Sequence, residues 1–156
     1  MANNLPIRIC IACLICLFII PVGCTKKEGC TDPVAENFDA SAQKDNNSCI
    51  SQRNKFIGVY NGVNQCNTLG NSNSIAEVRA SNENLKDIVI YNLGGRFVTP
   101  VKAEVNKDKF TIYPQPPFVY NEQLTGTGTI TGNIITVQYT FRHDNIQELC
   151  FYTMQK

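Results

Sequence analysis

The stretch that decides the fold is "GTGTITGNIITVQYTF", residues 126–141. Its second half, "ITVQYTF" (residues 135–141), alternates apolar and polar side chains without a break. Period-two alternation marks a strand with one buried face. Ile135, Val137, Tyr139 and Phe141 are expected inward, and Thr136, Gln138 and Thr140 outward. The first half alternates as well. Gly126, Gly128, Ile130 and Gly132 share one face, while Thr125, Thr127, Thr129 and Thr131 share the other. "TGN" (residues 131–133) lies between the two runs and supplies turn chemistry, so the whole stretch reads as a hairpin. Bare glycines on an inner face leave room for a bulky neighbour or a ligand. Tyr139 and Phe110 are the expected occupants, and Gly126, Gly128, Tyr139 and Phe110 together are the candidate ligand-facing set.

The same texture extends over residues 55–155, which are rich in β-branched and aromatic side chains and broken regularly by Gly, Asn and Asp. It predicts an all-β domain. Strands are expected at 55–63, 74–80, 87–92, 99–105, 109–113, 123–131, 134–141 and 147–153. "NKDK" (residues 106–109) predicts a second hairpin turn. Connections this short imply an antiparallel meander, since parallel pairs need long crossovers. About eight short strands must hide their edges, which a closed or flattened barrel does best, with a sandwich as the competitor. In a barrel the first and last strands pair, which suits Cys66 and Cys150. No segment shows a helical period beyond one candidate turn in "DPVAENF" (residues 32–38).

The N-terminal segment is of another kind. Residues 1–8 carry one positive charge, and "ICIACLICLFII" (residues 9–20) is wholly apolar. That run is shorter than the ~20 residues a membrane span needs and fits a signal-peptide core. Cys10, Cys13 and Cys16 read there as small apolar groups rather than metal ligands. "PVGC" follows, and it resembles the lipobox of bacterial lipoproteins, with Pro21 where that family usually has Leu. The resemblance implies cleavage after residue 23, lipidation of Cys24, and a place on the bacterial outer membrane, facing the periplasm or the cell surface. Stable anchoring takes more than one acyl chain.

Removing Arg8 with the leader leaves 13 basic and 13 acidic side chains. No basic stripe points to nucleic acid. Of the eight cysteines, Cys30, Cys49, Cys66 and Cys150 remain, an even number in an exported chain, and disulfides are expected. Three pairings are possible. Cys30–Cys49 and Cys66–Cys150 keep each bridge within one compositional segment.

"GCTDPVAENFDASAQKDNNSC" (residues 29–49) holds acids and amides between two cysteines. "CTDP", Ala35, "NF", Ala42 and "DNNSC" resemble a cysteine-bounded module common in exported proteins of Bacteroidetes-type bacteria. Asn47 stands where that module has Gly, and Asn tolerates φ > 0. Oxygens of Asp32, Asp39 and Asp45, with Asn46 or Asn47, are the candidate calcium ligands. The EF-hand spacing and its closing Glu are absent, so a disulfide-closed structural loop with Phe38 in its interior is the expectation. The organisation is then a leader (1–23), a lipidated tether (24–29), the module (30–49), a linker (50–54) and the β domain (55–156).

"KFIGVY", the hairpin above and the distant cysteine pair resemble the small lipocalin-like barrels of Bacteroidetes-type outer-membrane lipoproteins. Gly58-Val59-Tyr60 stands where lipocalins carry Gly-x-Trp, and the chain has no Trp. The resemblance implies an envelope-anchored protein that holds a small apolar ligand or glycan without catalysis. The alternative is a structural or protein-interaction lipoprotein with a filled core and a contact surface near "YPQPPF" (residues 113–118). No phosphate loop follows the glycines, His143 sits in the polar loop "RHDN", and no nucleophile–base pair or zinc cluster can be assembled. Neither an enzyme nor a cofactor is therefore expected.

Overall fold

The computed structural model describes residues 25–116, 123–143 and 146–156. The leader, Cys24, Phe118 and the side chain of His143 lie outside the described residues. The chain forms β1 (Glu28–Gly29), β2 (Lys44–Asp45), β3 (Gly58–Cys66), β4 (Gly70–Ala80), β5 (Asp87–Tyr91), β6 (Val101–Asn106), β7 (Lys109–Gln115), β8 (Gln123–Thr131), β9 (Ile134–His143) and β10 (Ile146–Gln155). Strands β3 to β10 close into an antiparallel barrel in meander order, with β10 completing the circle against β3. Among the described residues no helix is long and apolar enough to cross a membrane.

The two hairpin readings correspond to two-residue turns. Thr131 pairs with Ile134 around Gly132 and Asn133, and Asn106 pairs with Lys109 around Lys107 and Asp108. Gly132 and Lys107 take positive φ there. On β9, Ile135, Val137 and Tyr139 are buried, and Phe141 packs against the core from its rim. The seam is in register at the cysteines: Cys150 pairs with Cys66 and is bonded to it. By chain entropy a bridge closing so long a loop stabilises the fold by about 4 kcal/mol.

Several sequence expectations change. The first barrel strand starts at Gly58, not at residue 55, because Gln52–Phe56 is a 3-10 turn that drops Phe56 into the end of the barrel. This plug fixes the segment expected to be a linker. The helical turn expected over 32–38 is instead a pair of tight turns, started when the Asp32 carboxylate accepts the Val34 N–H. Asx turns of this kind offer the backbone an alternative to helix.

The module itself is closed by Cys30–Cys49 and a short parallel pairing of β1 with β2. Asn47 adopts φ 60° with its N–H on the Asp45 carboxylate. Phe38 is 44% exposed and does not fill the interior, where buried Cys30 and Ala35 sit instead. A loop of this size has room for a disulfide and a methyl group but not for a ring.

Candidate functional site

The barrel interior is the first place to look for a site. An eight-stranded barrel is about wide enough for its own side chains or one small ligand. Here Tyr60, Tyr139, Tyr152, Phe56, Phe97 and Phe110 are all fully buried. Phe56 meets Phe110 edge-on at 5.6 Å, and Phe97 meets Tyr139 at 5.7 Å and Phe141 at 5.4 Å. T-shaped contacts at these separations are favourable packing.

Each of these three buried tyrosine hydroxyls has a partner. Tyr60 donates to the Phe56 carbonyl (2.7 Å), Tyr139 donates to Asn64 Oδ1 (3.1 Å), and Tyr152 lies 3.0 Å from the Ser74 hydroxyl. Burial pushes Tyr60 and Tyr139 up to about 12, because a phenolate would be stranded away from water.

The candidate ligand-facing residues do come together, but as a packed contact. The Phe110 ring lies directly across Gly128, and a Cβ there would clash with it, 2.1 Å from its Cζ. A Cβ on Gly126 would lie 2.6 Å from the Gln138 carbonyl and 2.7 Å from Tyr139 Cβ. Gly128 therefore makes room for a protein ring and Gly126 for the close approach of β9 at Gln138 and Tyr139, the first of the two options their pattern offered. Gly132, the third glycine of that face, is outside the barrel in the turn.

Asp32, Asp39 and Asp45 each serve a local turn. Asp32 accepts the Val34 N–H, Asp45 the Asn47 N–H, and Asp39 the Ser41 N–H while pairing with Lys27. The Lys27 and Ser41 hydrogen bonds hold Asp39 below the usual carboxylate range. Among the described residues the three carboxylates do not converge. The acid–cysteine grouping that does form is Glu148 with Cys66 and Cys150, whose sulfurs are already bonded to each other. Glu148 Oε2 accepts the Thr68 N–H and holds the β3–β4 turn.

Four openings on the outside differ in chemistry. A cleft of about 560 Å³ lies between the module and the near barrel end, and Asp32, Arg53, Lys86, Glu104 and Lys107 mix both signs of charge along it. Arg53 Nη1 is taken up by the carbonyls of Ser81, Asn84 and Asp87, so this guanidinium ties down the β4–β5 loop.

The other three openings are shallow grooves. One of about 590 Å³ crosses β9, β10, β3 and β4, one of about 310 Å³ crosses β8, β9 and β10, and one of about 360 Å³ crosses β7, β8 and β9. No acidic or basic side chain lines any of the three. Sequence reasoning placed the threonines of this surface outward but missed the surface itself. Its signal was the run of uncharged outward positions in each of four strands.

No family model matches the chain, and no curated protein matches it in a sequence comparison.

Proposed function

We propose that the chain is an envelope-anchored lipoprotein, held in the outer membrane through Cys24, whose barrel is a filled scaffold that binds non-catalytically with its outer surface. The observation that carries this reading is the Phe110 ring seated on Gly128 inside an interior packed with aromatic side chains. Small-ligand pockets run to about 300–1,000 Å³ of open volume, and the space under β8 is taken by rings.

The test is a titration of the full chain with a fluorescent fatty acid, alongside membrane fractionation of the wild type and Cys24→Ser. No saturable uptake is expected, and Cys24→Ser should be released or remain an unprocessed precursor. One equivalent of fatty acid bound, or unchanged membrane attachment of Cys24→Ser, overturns the reading. A second reading rests on the cleft between module and barrel, which is large enough for a small polar ligand at the barrel rim. Protection of Leu85→Cys, on its wall, from alkylation by a bound small molecule would favour it.

A further inference from the structure

The outward positions of four neighbouring strands form one continuous uncharged surface. They include Thr127 and Thr129 on β8, Thr136 and Gln138 on β9, Phe151 on β10, and Asn61 and Gln65 on β3. Among the described residues Arg142, at the end of β9, is the one charge facing out from these strands.

The pairing aligns these side chains in rows across the sheet. Thr127 faces Gln138, Gln138 faces Phe151, and Phe151 faces Gln65. In the next row Thr129 faces Thr136, which faces Thr153, with the first two hydroxyls 2.9 Å apart. Neighbours in a row stand about 4.8 Å apart, and rows follow each other at about 6.8 Å along a strand. Phe151 is 49% exposed at the centre, on the wall of the groove of about 310 Å³.

We propose that this face binds a neutral polysaccharide laid across β8, β9, β10 and β3. The inference deepens the surface-binding reading above and rests on it. Three features select the partner. Apart from Arg142 at its edge, the face has no charge with which to attract an acidic polymer or a charged protein patch. Its hydroxyls and amides offer both donors and acceptors in rows, as a polyhydroxyl chain requires. Phe151 supplies an apolar plate for the C–H face of a sugar ring.

Protein interfaces concentrate Tyr, Trp, Met and Arg at their centres, and this centre is Thr and Gln with Phe151 and Val63. A lipid surface fits no better, because Asn61, Gln65 and Gln138 would lose their hydrogen bonds in hydrocarbon. Weak binding per site suffices on a membrane, where many anchored copies act on one long polymer.

The test is affinity electrophoresis of the full chain, in a zwitterionic detergent without a sugar head group. The gels contain neutral glucans, mannans or galactans, with acidic alginate as the counter-probe. At least one neutral polymer should retard the protein, and alginate should not. Phe151→Ala and Gln138→Glu should each weaken retardation at least tenfold, while Phe151→Tyr and Lys102→Gln, the latter on the far side of the barrel, leave it unchanged. Because Phe151 and Gln138 are exposed, unchanged melting curves will show that both variants fold. Retardation by no neutral polymer, by alginate alone, or equally in wild type and Phe151→Ala overturns the proposal. None of these outcomes bears on fatty-acid uptake or on Cys24, so the underlying reading is judged separately.

Discussion

The outer surfaces of the two halves of this barrel are built to different rules. On the β4–β5–β6 side the outward positions carry Glu77, Arg79, Asp87, Lys102 and Glu104. Ion pairs Arg79–Glu77 and Lys102–Glu83 lie there, and Lys55 joins the module to the barrel through Glu36 and Asp108. Asp87 is pushed above its ordinary range by burial and by Glu104 and Glu83 beside it. On the β8–β9–β10–β3 side the same alternation places Thr, Gln, Asn and isolated apolar groups.

Both halves share one core, so the difference is not a requirement of folding. Charges commonly guard exposed strand edges against pairing with other chains. Closure at β10–β3 leaves no such edge, and a neutral face becomes tolerable. What it is used for then depends on what neutral chemistry can grip.

The comparison breaks first from inside. Phe110→Ala removes a buried ring packed on Gly128 and Phe56 and should cost about 3–5 kcal/mol, read as a lower denaturant midpoint; a cost below ~1 kcal/mol would mean the interior is looser than its contacts indicate. Opening the seam comes next. Cys66→Ser with Cys150→Ser should lose about 4 kcal/mol, with β3 and β10 amides exchanging faster than those of β5 and β6. Uniform acceleration in both halves would show that the bridge does not single out the neutral side.

The tyrosines come third. Tyr60 and Tyr139 titrate at about 12 in the folded barrel against about 10 in an unfolded chain. The raised folded value means that their stabilisation is complete below pH 10. It is lost as pH rises from about 10 to 12, by about 3 kcal/mol for each ring. Denaturant midpoints measured across that range should fall, and Tyr139→Phe should flatten the fall; a flat profile in the wild type would contradict the burial of both rings.

The smallest effects are the surface ones. Lys102→Gln and Thr136→Lys should each change stability by no more than about 0.5 kcal/mol. Only the second should alter polysaccharide retardation. Equal effects of the two on retardation would erase the distinction between the halves.

Much of this was legible residue by residue. "ITVQYTF" announced which side chains of β9 point inward, because a two-residue period leaves no other choice. Lys107–Asp108 and Gly132–Asn133 announced their turns, and Asn47 its positive φ. Phe56 and Phe38 were not legible. Both are aromatic residues beside turns, and only the length of the barrel and the size of the disulfide loop decide that one is buried and the other exposed. The glycines were half legible: their face could be read from the alternation, but not what would cover it.

The sequence by itself determined the strand texture, the hairpin turns, the even set of cysteines and the inward or outward sense of each alternating residue, all of which depend on neighbours a few positions away. The tertiary structure decided that Phe110 closes over Gly128, that Cys66 stands opposite Cys150, and that the uncharged positions of four strands merge into one face. Those outcomes follow from strand register and barrel closure. At the seam cysteines they join residues 84 positions apart, and no local pattern encodes a distance of that kind.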